Sequence, residues 1–257
     1  MTLWLPALTL VWREILRFYR QPSREAGALM QPVLMWVVVG AGLNASFKPA
    51  GMEGNFLDYF LPGIMLVVLL FTAIFSTISI IEDRKEGFLQ GVLVAPVSPA
   101  AIVLGKVLGG ALLGLVQASL LLPLLLLPQV SLTLTFPMLL VLLGVLFAVG
   151  AGLTTLGVLL AWPMDSMQGY HAIMMVVLFP LWFLSGAVFP AAGAPAWLAW
   201  PIALNPMSHA LALVRACFQV AAGHAPATNG LIINAVYFFG FSGVIFVLAM
   251  IIVRRRG

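Results

Sequence analysis

The segment "EDRKEGFLQGVLVAPVSP", residues 82–99, carries five charged residues in its first five positions, although long apolar runs flank it on both sides. The chain of 257 residues has only 12 Lys and Arg and 8 Asp and Glu, so this pentapeptide is unusually polar for it. Such a segment between apolar runs predicts a short return to water between two membrane-spanning helices.

The composition of the whole chain agrees with this interpretation. Hydrophobic residues make up 63% and charged residues 8%, whereas soluble domains have roughly 45–50% and about 25%. We therefore predict an all-α integral membrane protein. The basic residues lie at the ends of apolar runs and form no stripe for nucleic acid, so no nucleic-acid partner is expected. The lone Cys217 excludes an internal disulfide and a multi-cysteine metal site.

Six apolar runs are candidates for membrane spans, because ~20 residues of helix cross the hydrocarbon core of a bilayer. They are residues 27–47, 60–81, 100–127, 132–162, 173–189 and 231–253. The chain between the last two runs is repeatedly interrupted by proline, at Pro190, Pro195, Pro201 and Pro206, which forbids another span there. We expect instead two short interfacial or re-entrant helices, at about 196–203 and 207–220, within an extracytoplasmic segment 190–229.

The N-terminal residues 1–24 predict an amphipathic helix at the membrane surface. Arginines recur at i, i+4, i+7 and i+11 and share one helical face, with aromatic and aliphatic side chains on the opposite side. These arginines are Arg13, Arg17, Arg20 and Arg24. We expect them to face water and anionic lipid. Because the apolar residues precede the arginines, a cleaved signal peptide is not predicted; a solvated basic leader is the alternative.

The distribution of lysine and arginine predicts the orientation of the chain. With six spans and a cytoplasmic N-terminus, only Lys48 and Arg215 would lie outside, which satisfies the positive-inside rule. Both termini and residues 82–99 are then cytoplasmic. Lys106, a turn or two inside the third span, is expected to snorkel back to the cytoplasmic face.

Within residues 82–96, apolar side chains at i, i+1, i+4 and i+5 predict a short helix that starts near Glu82 and ends before Pro96. The acidic residues Glu82, Asp83 and Glu86 would then lie in its first turn, at the positive end of the helix dipole. A short helix with an apolar strip and mixed charge can plug into a groove on a cytosolic partner. The alternative is a solvated loop.

Three stretches resemble one known family. Residues 82–110, "EDRKEGFLQGVLVAPVSPAAIVLGKVLGG", resemble the cytoplasmic loop and following span of type-2 ABC exporter permeases. "FPLWFLSGAVFP" (179–190) and "NPMSHALALVR" (205–215) are similar to that family's Ser-Gly-x-x-Phe-Pro element and Asn-Pro…Arg re-entrant segment. The similarity covers nearly the whole chain in order, and it is to the drug, lipid and polysaccharide exporter branch.

The resemblance implies that 1–257 is a single transmembrane permease domain in a bacterial inner membrane, which forms a homodimer or paired dimer with two cytosolic ATP-binding-cassette subunits. ATP and Mg²⁺ would bind to those subunits, and no cofactor to this chain. The sequence "LGKVLGG" is no phosphate loop, because Val107 follows Lys106 where Ser or Thr is needed. The exported substrate would be amphipathic: a drug, a lipid or a lipid-linked glycan.

The resemblance also implies roles for particular residues. The coupling helix that docks on the ATPase would use Glu82, Asp83, Arg84, Glu86, Gly87, Phe88, Leu89, Val92 and Leu93. The N-terminal helix would contact ATPase and lipid through Arg13, Arg17 and Arg20. An exit gate would be formed by Ser185, Gly186, Phe189 and Pro190, and the first and fifth spans would lie near the dimer seam.

Other function classes fit the sequence less well. A proton- or ion-driven transporter needs ionisable groups in mid-bilayer, and none is expected here. An intramembrane enzyme is disfavoured, because the histidines are scattered and Asp165 is expected to cap the fifth span. An ATP-independent transporter and a non-transporting membrane scaffold remain as alternatives. Glycines in the third and fourth spans, including Gly105, Gly110 and Gly157, predict close helix packing within one copy.

Overall fold

The computed structural model describes residues 4–44, 55–95, 97–190, 195–224 and 226–256, and these residues contain helices but no strands. The helices are α1 (Trp4–Arg20), α2 (Pro22–Asn44), α3 (Phe56–Lys85), α4 (Phe88–Val94), α5 (Pro99–Ser119), α6 (Phe136–Ala161), α7 (Met167–Trp182), α8 (Ala196–Leu204), α9 (Pro206–Ala221) and α10 (Thr228–Arg256). A 3-10 turn follows α5 at Leu122–Leu126, and a π turn follows α7 at Phe183–Ala187. The side chains of residues 22–25, 93 and 256 lie outside the description.

Within the described residues, six helices are long and apolar enough to cross a membrane. They cover Ala26–Asn44, Phe56–Lys85, Pro99–Leu126, Phe136–Ala161, Met167–Ala187 and Thr228–Arg255. The prediction of an all-α protein with six spans is confirmed, and the chain is a multi-pass membrane protein. Residues 45–47, at the end of the first predicted span, lie outside the described residues, as does Lys48.

Helix α3 forms the centre of the bundle. Side chains all along it are fully buried, among them Phe60, Ile64 and Leu70. It packs against α2, α5, α6 and α7. Helices α2 and α10 instead lie at the periphery and expose apolar side chains such as Leu34 and Val236. Helix α3 is therefore in direct contact with most of the other spans.

Glycines allow the spans to approach closely. A Cβ atom added at Gly110 of α5 would lie 2.6 Å from the Thr154 side chain of α6. One added at Gly157 of α6 would lie 2.7 Å from the Thr77 hydroxyl of α3. These glycines therefore lie at helix contacts inside one copy of the chain, where small residues let two backbones come together.

The structure corrects the predicted start of the helix in residues 82–96. Helix α3 continues to Lys85, and a turn at Glu86 and Gly87 separates it from α4, which begins at Phe88. Gly87 has φ 77°, a left-handed conformation that other residues adopt only with strain. Glu82 and Asp83 therefore lie at the C-terminal end of α3, where the helix dipole disfavours carboxylates and cationic partners are required.

Helices α8 and α9 occupy the segment rich in proline, close to where two short helices are predicted. Asn205 caps α9 by accepting a hydrogen bond from the Met207 amide, and Pro206 follows it at the first helical position. Both helices lie at the end of the bundle opposite α1. Residues 191–194 and 225 of the predicted 190–229 segment lie outside the described residues. Its re-entrant and extracytoplasmic character remains a prediction.

Candidate functional site

Helix α1 lies directly on α5 because Gly105 has no side chain. A Cβ atom at this position would come within 2.7 Å of the Leu10 Cβ and 3.0 Å of the Ala7 carbonyl oxygen. Ala7 and Leu10 are buried in this contact. One turn further along α1, Glu14 faces Gly109 of α5. The close packing thus brings a carboxylate into the contact between two apolar helix faces.

Lys106 of α5 neutralises this carboxylate. Its Nζ donates to Glu14 Oε1 at 2.6 Å, to Ser79 Oγ at 2.8 Å and to Asp83 Oδ2 at 2.8 Å. The side chains of Lys106, Glu14 and Asp83 are at most 4% exposed. The prediction that Lys106 snorkels to the cytoplasmic face is wrong, because three acceptors inside the protein satisfy all three ammonium hydrogens.

Asp83 binds two arginines of α1 as well. Arg13 donates from Nη1 to Oδ2 at 2.8 Å and from Nη2 to Oδ1 at 2.5 Å, which makes a bidentate pair. Arg17 donates from Nη1 to Oδ1 at 2.9 Å, and its Nη2 lies 3.3 Å from Glu82 Oε2. The hydrogen bond with Asp83 raises the pKa of the Arg13 guanidinium above its ordinary value. We call Arg13, Glu14, Arg17, Ser79, Glu82, Asp83 and Lys106 the charge cluster.

The charge cluster corrects the predicted direction of two arginines. Arg13 and Arg17 were expected to face water and lipid, but both are partly buried on Asp83. Arg20 is exposed, as expected, and the side chain of Arg24 lies outside the described residues. The three cations of the cluster are balanced by three carboxylates. This balance matters because a buried charge without a partner is strongly destabilising.

Arg13 connects the cluster to α4. Its guanidinium carbon lies 3.8 Å from the centre of the Phe88 ring, within the range of a cation–π contact. One arginine therefore contacts both the end of α3 and the start of α4. Together with Lys106 of α5, which also binds Asp83, it brings α1, α3, α4 and α5 together at one point.

The residues predicted to dock on a partner differ in their exposure. Asp83 and Leu89 are buried, so their side chains do not face a partner. Phe88 and Glu86 are exposed, as are Lys85, Gln90 and Val94 beside them. We call Lys85, Glu86, Phe88, Gln90 and Val94 the exposed strip. Four of the remaining predicted residues are partly buried, namely Glu82, Arg84, Gly87 and Val92, and the side chain of Leu93 lies outside the described residues.

Arg84 points to another neighbour. Its Nη2 donates to the Trp162 carbonyl oxygen at 2.6 Å and its Nη1 to the Met164 carbonyl oxygen at 2.9 Å. Nη1 also lies 3.2 Å from Asp165 Oδ1. Arg84 therefore fastens the end of α3 to the turn between α6 and α7. The expectation that Asp165 caps α7 is wrong, because Ser166 accepts the capping hydrogen bond from the Gly169 amide.

The predicted gate residues lie at the opposite end of the bundle. Gly186, in the π turn, has φ 86°, and its carbonyl oxygen accepts hydrogen bonds from Tyr59 Oη at 2.5 Å and Arg215 Nη2 at 2.9 Å. Ser185 is buried and donates to the Trp182 carbonyl oxygen at 2.6 Å. Phe189 contacts the Phe183 ring edge-on at a centroid distance of 5.7 Å, and Pro190 is partly exposed. Their role as a gate remains a prediction.

Sequence reasoning missed three members of the two sites: Glu14, Ser79 and Tyr59. It treated Lys106 and Arg215 only as indicators of topology. For the charged residues Glu14 and Lys106, the sequence did contain a signal. A carboxylate or ammonium within an apolar helix must find a partner of opposite charge, and Glu14 and Lys106 both occur in such helices. The serine and tyrosine carried no comparable signal, since isolated hydroxyl groups are common in membrane helices.

Replacing Gly105 by leucine is expected to push α1 away from α5. Overpacking a tight contact costs ~1–3 kcal/mol, which lowers the unfolding midpoint by roughly 3–10 °C in a chain of this size. The buried Cys217 supplies the measurement, because a thiol-reactive dye labels it only on unfolding. Gly144→Leu is the matched control, since no atom lies within 4 Å of a Cβ added there. An equal midpoint in both variants would contradict the close contact.

Comparison with known proteins gives matches that span both sites. The family described as "ABC-2 type transporter" matches residues 7–219. The ycf38 protein of Cyanophora paradoxa, named as a transport permease, is 29% identical over 208 residues, which cover 80% of this chain and 71% of that protein. The ycf38 protein of Porphyra purpurea is 29% identical over 218 residues, with coverages of 80% and 71%. The daunorubicin resistance ABC transporter permease protein DrrB1 of Streptomyces coeruleorubidus is 24% identical over 220 residues, with coverages of 84% and 76%.

Proposed function

The chain belongs to the ABC-2 type transporter family, and from this premise we propose that it is the membrane subunit of an ATP-driven exporter. Its similarity to transport permeases supports a transport role rather than an enzymatic one. In our proposal it moves an amphipathic substrate, such as a drug, a lipid or a lipid-linked glycan, across a bacterial inner membrane. Separate ATP-binding-cassette subunits would bind ATP and Mg²⁺ and supply the work. Both termini would be cytoplasmic.

The observation that carries the proposal is the position of Arg13. Its guanidinium contacts Asp83 at the end of α3 and Phe88 at the start of α4. Phe88 belongs to the exposed strip, whose apolar and charged side chains are suited to a groove on a cytosolic subunit. A movement of α4 would therefore be passed through Arg13 to α1 and the central helix.

In this proposal the charge cluster holds α1, α3 and α5 together during such a movement. Pulling α1 away from α3 or α5 would leave carboxylates and cations unpaired in a poorly hydrated place, which costs several kcal/mol. A docked subunit that moves α4 would therefore move the ends of three helices together as one unit. At the other end of α3, Tyr59 contacts the predicted gate residue Gly186. The same helix would thus carry the movement from the ATPase to the gate.

We further propose that two copies of the chain form the pathway. The first and fifth spans expose apolar side chains that a second copy would cover, such as Val38 of α2 and Val176 of α7. The N-terminal residues 1–24 would lie along the cytoplasmic headgroups, where exposed Trp4 and Trp12 reach toward the acyl chains. Residues 1–257 would form one permease domain, with the docking segment at 82–96 and the extracytoplasmic segment at 190–229.

Reconstitution tests the proposal. An ATP-binding-cassette protein that co-purifies with the tagged chain is incorporated with it into proteoliposomes, and movement of a fluorescent amphipathic dye is followed. We expect movement only when both proteins and ATP are present, and none with an ATPase variant that cannot hydrolyse ATP. Dye movement by this chain alone would favour an ATP-independent transporter. An absence of any cassette partner and of any dye movement would favour a scaffold.

A further inference from the structure

A cavity of about 390 Å³ lies between the π turn, α9 and α10, at the end of the bundle opposite the charge cluster. Its volume is within the range of small-molecule sites in proteins. Polar groups from three elements line it: Ser185, Ser208, Arg215, Gln219 and Asn234.

Arg215 carries a positive charge into this cavity. Its Nη2 donates to the Gly186 carbonyl oxygen at 2.9 Å and to the Tyr59 carbonyl oxygen at 3.3 Å. Its Nε is buried and has no hydrogen-bond acceptor within the described ranges. Across those same ranges, no carboxylate lies close enough to form an ion pair with the guanidinium. Its described contacts are two carbonyl oxygens and the Tyr59 ring, which lies 4.2 Å from the guanidinium carbon, and none of them carries a negative charge.

Ser208 adds a second unused donor. Its hydroxyl is buried and lacks a hydrogen-bond partner in the part of the chain that the structure describes. Ser208 and Arg215 are seven residues apart on α9, which places them on the same face of the helix. Native proteins leave few buried polar groups unsatisfied. Two of them on one face, lining one cavity, point to a ligand that accepts hydrogen bonds.

We propose that this cavity binds the anionic headgroup, phosphate or carboxylate, of an amphipathic molecule. The Arg215 guanidinium would pair with the anion through Nε, and the Ser208 hydroxyl would donate a second hydrogen bond. Apolar residues that share the cavity, such as Ile202 and Leu231, would contact the first carbons of the attached chain. The assignment of this anion as part of the exported substrate rests on the proposed function, whereas the binding itself does not.

The proposed site is in direct contact with the predicted gate. The Gly186 carbonyl oxygen that Arg215 holds belongs to the π turn, so an anion would compete with it for the same guanidinium. Occupation of the cavity would weaken the hold of Arg215 on the turn. The arrangement therefore links arrival of an acidic headgroup with release of the predicted gate.

Binding is measured on the purified full chain in neutral detergent, without an ATPase. Short-chain phosphatidic acid is the anionic probe, and diacylglycerol with the same chains is the neutral control. We expect phosphatidic acid to bind at least tenfold more tightly. Arg215→Gln should weaken its binding by roughly tenfold or more, and Ser208→Ala by roughly threefold, as expected for charge-assisted hydrogen bonds. Arg254→Gln, which removes an exposed guanidinium near the C-terminal end of α10, should leave it unchanged.

Inorganic phosphate distinguishes the two sources of the anion. Displacement of phosphatidic acid by phosphate alone would support a site for the free ion as well as for a headgroup. Failure of phosphate to displace it would support a lipid-like ligand that needs its chains. Equal binding of phosphatidic acid and diacylglycerol would overturn the proposal. So would unchanged phosphatidic acid binding in both cavity variants.

The two variants also separate binding from folding. Arg215→Gln removes contacts to Gly186 and Tyr59, so protection of Cys217 from a thiol reagent is checked first. Ser208→Ala removes a hydroxyl that makes no described side-chain hydrogen bond, and the fold should be unaffected. Because the assay contains no nucleotide, its failure would leave the proposed ATP-driven export standing. Failed export with intact anion binding would instead contradict the proposed function and leave the anion site standing.

Discussion

Replacing Asp83 by asparagine is expected to accelerate tryptic cleavage after Arg13 and Arg17 by at least a hundredfold. Asp83 accepts hydrogen bonds from both arginines and from Lys106. In the variant only two carboxylates, Glu14 and Glu82, remain to balance these three cations. Breaking a buried ion pair from one side costs ~3–5 kcal/mol, and each 1.4 kcal/mol corresponds to a factor of about ten. Cleavage rates follow the population of the opened state, so α1 should be cut while the bundle persists.

Asp165→Asn is the matched control for this experiment. Asp165 also pairs with an arginine at the same end of the bundle, but its side chain is 89% exposed. Exposed ion pairs contribute little to stability, so cleavage after Arg13 should remain slow. Labelling of Cys217 at the opposite end reports whether the whole chain has unfolded. If Asp83→Asn and Asp165→Asn are cleaved at the same rate, the charge cluster does not hold α1.

Replacing Phe88 by alanine is expected to reduce ATP-dependent transport by at least tenfold while the chain stays inserted and folded. Phe88 is the aromatic residue of the exposed strip, and central aromatic anchors carry ~2 kcal/mol or more of an interface. The variant also removes the ring on which Arg13 lies, worth roughly 0.5–1 kcal/mol. The measurement is the dye transport rate of the reconstituted complex, together with the affinity of the cassette subunit for the chain.

Phe136→Ala provides the corresponding control. Phe136 is 71% exposed at the start of α6, at the other end of the bundle, so its loss removes similar apolar surface away from the exposed strip. Transport and affinity should then be unchanged. Glu82→Ala should weaken coupling too, because Arg17 loses its second carboxylate. Full transport by both Phe88→Ala and Glu82→Ala would remove the docking role of this segment.

The number of spans could be predicted from the sequence because apolar length is a local property. The ends of α3 could not. It extends from Phe56 to Lys85, past the predicted limits at both ends, and takes in Asp58 as well as the charged residues before Gly87. A hydropathy pattern excludes such residues from a span. Distant segments supply partners for the carboxylates among them: the Ser131 amide and hydroxyl, for example, donate hydrogen bonds to Asp58.

The candidate site was only half predictable for the same reason. Of the exposed strip, the local pattern predicted Glu86 and Phe88 as docking residues, but it also included Leu89, which is buried. The charge cluster depends on the pair of Glu14 and Lys106, which are 92 residues apart. No periodicity connects two such positions. Only the general rule that buried charges need partners indicates that they belong together, and that rule does not say which carboxylate Lys106 chooses.

The spacing of the cluster along the chain has a consequence for biosynthesis. At about 5–20 residues per second, a ribosome needs several seconds between making Glu14 and making Lys106. During that interval the nascent N-terminal helix has no ammonium with which to settle against the bundle. Final docking of this helix must wait until the third hydrophobic segment has entered the bilayer, so the first element translated is among the last to reach its place.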